Sequence, residues 1–290
     1  MTHAIMCENL TKHYGKTDHG ITDLCLMVEK GSFYGFMGPN GAGKSTTIRT
    51  LMGLIMPTSG KASVLGYDIV NEKKDILKRT GYLPSEAGYY PAMRVGDLLK
   101  FASDARGVRC DQRRSEIMER LCLDPSGKIG ELSFGNRKKV GITAALQHDP
   151  ELLILDEPTG GLDPLMQKEF FSILKEMNGK GVTVFLSSHV LSEIQDHCDR
   201  AAIIRDGRLV AEDSVRNLTH TRARRVKLIC KGHEIFSACD GYEKTYDGCT
   251  FLWNGETDEL IRKLVNLKVK DFTVSEPTLE EIFMHYYREA

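Results

Sequence analysis

Short apolar runs alternate with amphipathic segments over the first part of the chain, as in proteins that pack helices on a sheet. The apolar runs predict five strands, at residues 4–10, 21–29, 31–38, 59–68 and 81–84, and Gly66 is expected to stop the fourth of them. Helical periodicity predicts a helix at 44–54, directly after a glycine-rich loop, and a short amphipathic helix at 71–80.

The pattern becomes helical between residues 88 and 149, where the segments 95–107, 113–123 and 136–148 repeat their apolar positions with a helical period. Strands and helices then alternate again. We expect, in chain order, a strand at 151–157, a helix at 164–177, a strand at 182–188, a helix at 191–198 and a hairpin at 201–210 that turns at Asp206-Gly207. Buried strands that alternate with helices predict an α/β fold with a largely parallel sheet covered on both faces.

The character of the chain changes after about residue 216. Short strands are expected at 224–230, 234–240, 245–253 and 269–275, with helices at 256–267 and 278–289. This pattern predicts a first domain at residues 1–215, with a helical insertion at about 86–150, and a small α+β accessory domain at 216–290.

Composition and local sequence patterns exclude several classes of protein. The net charge of −1 argues against a general nucleic-acid binder, so no nucleic-acid partner is expected. The N-terminus lacks the pattern of a signal peptide, and the apolar runs are too short to span a bilayer. The eight cysteines are expected to be reduced thiols, and the group Cys230, His233, Cys239 and Cys249 matches no zinc-finger spacing.

The stretch "GPNGAGKST" fits the phosphate-binding pattern G-x-x-x-x-G-K-[ST] between a strand and a helix. Its glycines let backbone N–H groups turn inward around a phosphate, and the helix N-terminus adds positive charge. Lys44 is expected to reach the β- and γ-phosphates and the Ser45 hydroxyl to hold Mg²⁺. The predicted nucleotide-binding residues here are Gly38, Asn40, Gly41, Ala42, Gly43, Lys44, Ser45 and Thr46.

Two acids, Asp156 and Glu157, end the apolar strand at 151–157. Acids at the end of a buried strand are costly unless a cation or a water network meets them. In a protein with a phosphate-binding loop, the first acid is expected to hold Mg²⁺ through water and the second to polarise the attacking water. His189 follows the strand at 182–188, at the sheet edge where ligands bind, and is a candidate contact for the γ-phosphate.

This ordered set, with "LSFGN" at 132–136, "LLILDEPTGGLDP" at 152–164 and "SSH" at 187–189, resembles the nucleotide-binding subunit of ATP-binding cassette (ABC) transporters over residues 4 to about 215. The resemblance implies a P-loop NTPase of ABC type with an N-terminal antiparallel β region. It also implies a head-to-tail homodimer or heterodimer with two ATP at its interface. Residues 132–136, called the signature loop below, would bind the γ-phosphate held by the partner through Ser133, Gly135 and Asn136. Residues 161–164 would touch across the interface, and Tyr14 would stack on adenine.

The sequence departs from the family pattern at two places. Phe134 replaces a glycine of the signature loop, which removes backbone freedom, and Asn136 is one methylene shorter than the usual glutamine. Ser85 stands where the family has a glutamine that touches Mg²⁺ and senses the membrane partner. Serine keeps an oxygen with less reach, and the adjacent Glu86 is a candidate substitute.

Basic residues open the helix after the signature loop, in "NRKK" at 136–139. Positive charge at a helix start opposes the dipole. Either a nearby phosphate or exposure to solvent would offset this cost, and the sequence does not choose between them.

The C-terminal stretch "VSEPTLEEIFMHYYRE" is similar to the ending of exporter-type cassette ATPases that pair with a separate membrane subunit. We therefore expect an ATPase that drives export of a drug, peptide, lipid or polysaccharide, with Glu157, His189 and Lys44 as catalytic residues. It would lie on the cytoplasmic face of the membrane, with mainly indirect membrane contact and ATP and Mg²⁺ as cofactors. The alternatives are an ATP-sensing regulator with weak or no hydrolysis and a soluble cassette ATPase.

Overall fold

The computed structural model describes residues 2–15, 19–86, 88–219, 224–265 and 267–275, and the chain divides into two compact units, Met1–Ala211 and Glu212–Ala290. Within the described residues, no helix is long and apolar enough to cross a bilayer. The predicted helix at 278–289 lies outside the described residues.

A four-stranded sheet begins the first unit, with antiparallel pairing along the order β2-β1-β4-β5. Its strands are β1 (His3–His13), β2 (Gly20–Glu29), β4 (Ser59–Val64) and β5 (Tyr67–Asp68). The strand predicted at 59–68, with Gly66 as its stop, ends at Val64, because Leu65 and Gly66 adopt positive φ values of 54° and 87° and turn the chain back into a tight hairpin with β5.

A six-stranded sheet forms the centre of the first unit, in the order β10-β9-β3-β8-β7-β6. Its strands are β3 (Phe33–Met37), β6 (Thr80–Leu83), β7 (Leu152–Asp156), β8 (Thr183–Ser188), β9 (Arg200–Arg205) and β10 (Arg208–Ser214). The pairs β3/β8, β3/β9, β6/β7 and β7/β8 are parallel. Every residue of β3, β7 and β8 is buried, as is typical of central parallel strands that are covered on both faces. The predicted α/β fold is confirmed.

Helices flank the central sheet and join its strands. They are α1 (Lys44–Leu51), α2 (Lys73–Arg79), α6 (Pro164–Gly179) and α7 (Leu191–His197). Apolar side chains of α1 and the two sheets form one core that contains Ile5, Phe36, Ile48 and Phe185. This core fixes the carboxyl edge of the central sheet, where the candidate site lies.

Between β6 and β7, the described residues form three α-helices and a short 3₁₀ helix. They are α3 (Val95–Asp104), α4 (Asp111–Arg120), the 3₁₀ helix Ile129–Glu131 and α5 (Phe134–Leu146). They share an apolar cluster that includes Val95, Leu99 and Val140. The Arg120 guanidinium anchors α4 to α6, since its Nε lies 2.5 Å from Glu169 Oε1 and its Nη1 lies 2.6 Å from Glu176 Oε2.

The second unit contains a four-stranded sheet in the order β12-β13-β11-β14. Its elements are α8 (Val215–Thr219), β11 (Arg224–Cys230), β12 (Glu243–Lys244), β13 (Gly248–Trp253), α9 (Thr257–Val265) and β14 (Val269–Ser275). Phe236 and Phe251 stack in the core with ring centroids 4.4 Å apart. Cys230 and Cys249 pack in the same apolar cluster, and no metal-binding group of His, Cys, Asp or Glu occurs among the described residues.

The predicted strand at 234–240 is wrong. Residues His233–Phe236 form a 3₁₀ helix, and the turn continues because Cys239 N donates to Phe236 O at 2.9 Å. Phe236 and Cys239 face the core while Ile235 is exposed. Their spacing of three residues is that of a 3₁₀ helix rather than the two-residue repeat of a strand.

Candidate functional site

The loop between β3 and α1, residues 38–45, has the shape of an anion cradle and is called the P-loop below. Gly41 and Gly43 adopt φ values of 84° and 106°, which side chains rarely permit. A Cβ on Gly38 would lie 2.5 Å from Ile204 O, so the loop starts against β9 where only glycine fits. No side chain in the described part of the chain caps the N-terminus of α1, and its first N–H groups are available to an anion.

A cavity of about 540 Å³ opens beside this loop, a volume typical of small-molecule sites. The predicted residues that line it are Tyr14, Asn40, Gly41, Gly43, Lys44, Ser45, Thr46, Ser85 and Glu157. Gly38 and Ala42 do not line the cavity; they are buried and shape the loop behind it. Tyr14 is 44% exposed, and the Lys12 ammonium lies 5.5 Å from the centroid of its ring.

The Lys44 ammonium lies at the floor of the cavity and is only 4% exposed. It donates to Gly38 O at 2.6 Å and to Pro39 O at 3.0 Å, and it lies 3.1 Å from Glu157 Oε1. The P-loop lysine and the second strand-end acid therefore form an ion pair across the cavity.

The Glu157 backbone is held in a sparsely populated conformation, with φ at 48°. Its N–H donates to Ser187 O at 3.1 Å, which fixes the acid against the end of β8. Burial raises the pKa of Glu157, but hydrogen bonding and charge from Lys44, with a smaller effect of His189, outweigh it and lower the pKa overall. His189 Nδ1 lies 3.2 Å from Glu157 Oε2, so the structure brings the three predicted catalytic residues together.

Asp156 is completely buried at the end of β7. Its Oδ1 accepts a hydrogen bond from Ser187 Oγ at 2.6 Å, whereas its Oδ2 has no partner among the described residues. A buried carboxylate oxygen without a donor fits a cation or its hydration shell. Ser45 lines the adjacent cavity, and its hydroxyl makes no hydrogen bond to a described residue. These oxygens suit Mg²⁺, and Ser85 lies on the same cavity wall.

Sequence reasoning missed the hydrogen-bonding residues that support the acids. Ser187 contacts both of them, and only its place in "SSH" hinted at a role. Glu193 accepts hydrogen bonds from Thr159 Oγ1 at 2.5 Å and Ser188 Oγ at 2.7 Å. These bonds tie the segment after β7 to the end of β8.

The signature loop begins α5, and Ser133 is its N-cap, because Ser133 Oγ accepts from Asn136 N at 3.2 Å. Ser133, Gly135 and Asn136 do not line the P-loop cavity, although Phe134 does. The Phe134 ring also packs on Gly161, where a Cβ would lie 2.2 Å from Phe134 Cδ1. The start of α5 thus borders the cavity of its own chain, which the sequence did not predict.

Comparison with known proteins gives a consistent result. The family model described as ABC transporter matches residues 21–160, and an AAA domain model matches residues 128–194. The bacitracin transport ATP-binding protein BcrA of Bacillus licheniformis is 35% identical over 98% of this chain and 97% of its own length. The linearmycin resistance ATP-binding protein LnrL of Bacillus subtilis (strain 168) is 36% identical over 71% of this chain and 68% of its own. A solved ATP-binding subunit of an ABC transporter superposes with a TM-score of 0.71 at 28% identity, covering 74% of this chain and 91% of that one.

Proposed function

The chain belongs to the family of ABC transporter ATP-binding proteins, and we propose that it hydrolyses ATP to drive export of a peptide antibiotic through a separate membrane subunit. One observation carries the chemistry: Glu157, in the wall of the P-loop cavity, contacts both Lys44 and His189. ATP binding and hydrolysis are properties of this family, and the residues at the cavity are those that the reaction needs.

The P-loop N–H groups and Lys44 bind the phosphates. Lys44 exchanges its contact with Glu157 for contacts with the β- and γ-phosphates. The freed Glu157 carboxylate accepts a proton from the water that attacks the γ-phosphorus. His189 holds the other carboxylate oxygen and so orients the base. Tyr14 lines the cavity, and its ring would stack on the adenine.

Ser45 and Asp156 would hold Mg²⁺, with the Asp156 contact through water and Ser85 at the edge of the site. The unpartnered Asp156 Oδ2 supports this assignment. When bound, the cation neutralises charge on the β- and γ-phosphate oxygens.

The site would be completed by a second copy or by a related subunit. Ser133, Gly135 and Asn136 stand at the N-terminus of α5 yet do not line the cavity of their own chain. A helix N-terminus attracts anions, so these residues are suited to a γ-phosphate carried by a partner. ATP would then close a head-to-tail dimer.

A membrane partner would contact the helical segment around residues 85–105. Tyr90 and Phe101 are 74% and 61% exposed there, which supports an apolar contact surface. This contact would place the chain on the cytoplasmic face of the membrane. The cargo assignment rests on similarity to BcrA, which extends over both units of the chain.

Phosphate release by the purified chain tests the enzymatic part of the proposal. Lys44→Ala should abolish hydrolysis and weaken ATP binding, whereas Lys61→Ala, on an exposed strand position, should match the unmodified chain. Equal rates for Lys44→Ala and the unmodified chain would exclude the assigned site. For the cargo, cells that express the chain with its membrane subunit should tolerate more bacitracin, and Lys44→Ala should remove that tolerance.

A further inference from the structure

A second lysine borders the P-loop cavity. Lys138 lies in the second turn of α5 and lines the cavity together with Lys44, Ser45 and Glu157. Its side chain is only 7% exposed, so the solvent explanation for the basic start of this helix is wrong at this position.

The Lys138 ammonium has hydrogen-bond acceptors, but no counter-ion among the residues that the structure describes. It donates to Ser85 O at 3.0 Å and lies 3.5 Å from Pro84 O. No carboxylate among the described residues comes within ion-pairing distance of it. Burying a cation in this way is costly unless an anion joins it.

The positive charge of Lys138 interacts with the acidic residues of the site. Burial lowers the pKa of Lys138, while the carboxylates of Asp156, Glu157 and Glu86 oppose that effect from a distance. The Lys138 ammonium therefore interacts electrostatically with the acidic residues around the predicted phosphate and Mg²⁺ positions. The N-terminus of α5 adds further positive charge nearby.

We propose that Lys138 is a second lysine ligand of the nucleotide's terminal phosphate, acting from the same chain as the P-loop. This inference rests on the proposed function, because the cavity must receive a nucleoside triphosphate. A γ-phosphate in the cavity supplies the counter-ion that the ammonium lacks, and a lysine binds phosphate as a compact point charge. Contact with Ser85 O would keep the ammonium in place until the triphosphate arrives.

A structural role makes a different prediction. A lysine that only braces the segment after β6 would affect fold stability and would influence ATP and ADP binding equally. A ligand of the terminal phosphate discriminates between the two nucleotides, since ADP lacks that group.

Calorimetric titration of the full-length chain with a non-hydrolysable ATP analogue and with ADP separates these roles. Lys138→Met should weaken binding of the analogue about 10- to 100-fold, the range expected for a hydrogen bond to a charged group. Binding of ADP should change less than about threefold, and Lys138→Arg should restore part of the preference.

Lys139→Met is the matched control, because Lys139 is the next residue of the same helix, is 9% exposed and does not line the cavity. It should leave the analogue-to-ADP affinity ratio unchanged. The ratio does not depend on the folded fraction, so it remains valid if a variant is less stable. An unchanged ratio in Lys138→Met, with normal binding by the unmodified chain, would overturn the role of Lys138 alone. Failure of the unmodified chain to bind either nucleotide would overturn the proposed function as well.

Discussion

Glu157→Gln separates the two roles proposed for this side chain, which are to accept a proton during hydrolysis and to restrain Lys44 before it. Glutamine keeps the shape but carries no charge and is a poor base, so we expect hydrolysis to fall by about 10²–10⁴-fold. The ion pair at 3.1 Å is lost at the same time. A hydrogen bond between charged groups contributes about 1.5–3 kcal/mol, and its removal frees Lys44 for phosphate. ATP binding should therefore tighten by up to about 10- to 100-fold.

Two assays measure these opposite effects: phosphate release for hydrolysis and calorimetric titration for ATP binding. Size-exclusion chromatography with and without ATP should also reveal a nucleotide-bound dimer of the variant. Glu151→Gln is the control, because it removes the same charge from an exposed ion pair with Arg79 just before β7. Weaker ATP binding by Glu157→Gln, or hydrolysis at the unmodified rate, would refute the assigned role.

Three further variants test supporting contacts. Ser187→Ala should lower the free energy of unfolding, measured with urea, by about 1–3 kcal/mol, because it leaves Asp156 Oδ1 without its donor. The variant should also require a higher Mg²⁺ concentration for activity. Arg120→Ala should lower stability by about 1 kcal/mol and speed amide exchange in α4, since the contact with Glu169 is lost; unchanged exchange would contradict the anchoring role. Burial, aided by a nearby arginine, lowers the pKa of His148 from 6.5 to about 4, so only the unfolded chain binds this proton between those values. Unfolding free energy should fall by about 3 kcal/mol as the pH drops through that window, and His148→Gln should flatten the profile.

The shape of the P-loop was predictable because its motif is local in sequence. The P-loop needs a strand, three glycines and a helix in immediate succession, and the period of the flanking residues showed both elements. The strand-end positions of Asp156 and His189 also indicated the sheet edge where they lie. The wrong strand at 234–240 arose because apolar residues without clear alternation fit a 3₁₀ turn as well as a strand.

The supporting contacts were not predictable from the sequence. The charge of Lys138 opposed the helix dipole, but whether the side chain was exposed or buried beside the cavity depended on how α5 packs against the segment after β6. In the sequence, Phe134 indicated only that the signature loop lacks the backbone freedom of a glycine. Its place on Gly161 depends on a contact between segments far apart in the chain, which no local pattern encodes.

That contact has a consequence for any subunit across an interface. Phe134 leaves no room for a side chain on Gly161, so the two stretches at 132–136 and 161–164 meet within one molecule. A neighbouring protein would contact them as one unit and not as two independent loops. Displacing either stretch would disturb the other, so a nucleotide in the cavity beside Phe134 would be mechanically coupled to residues 161–164.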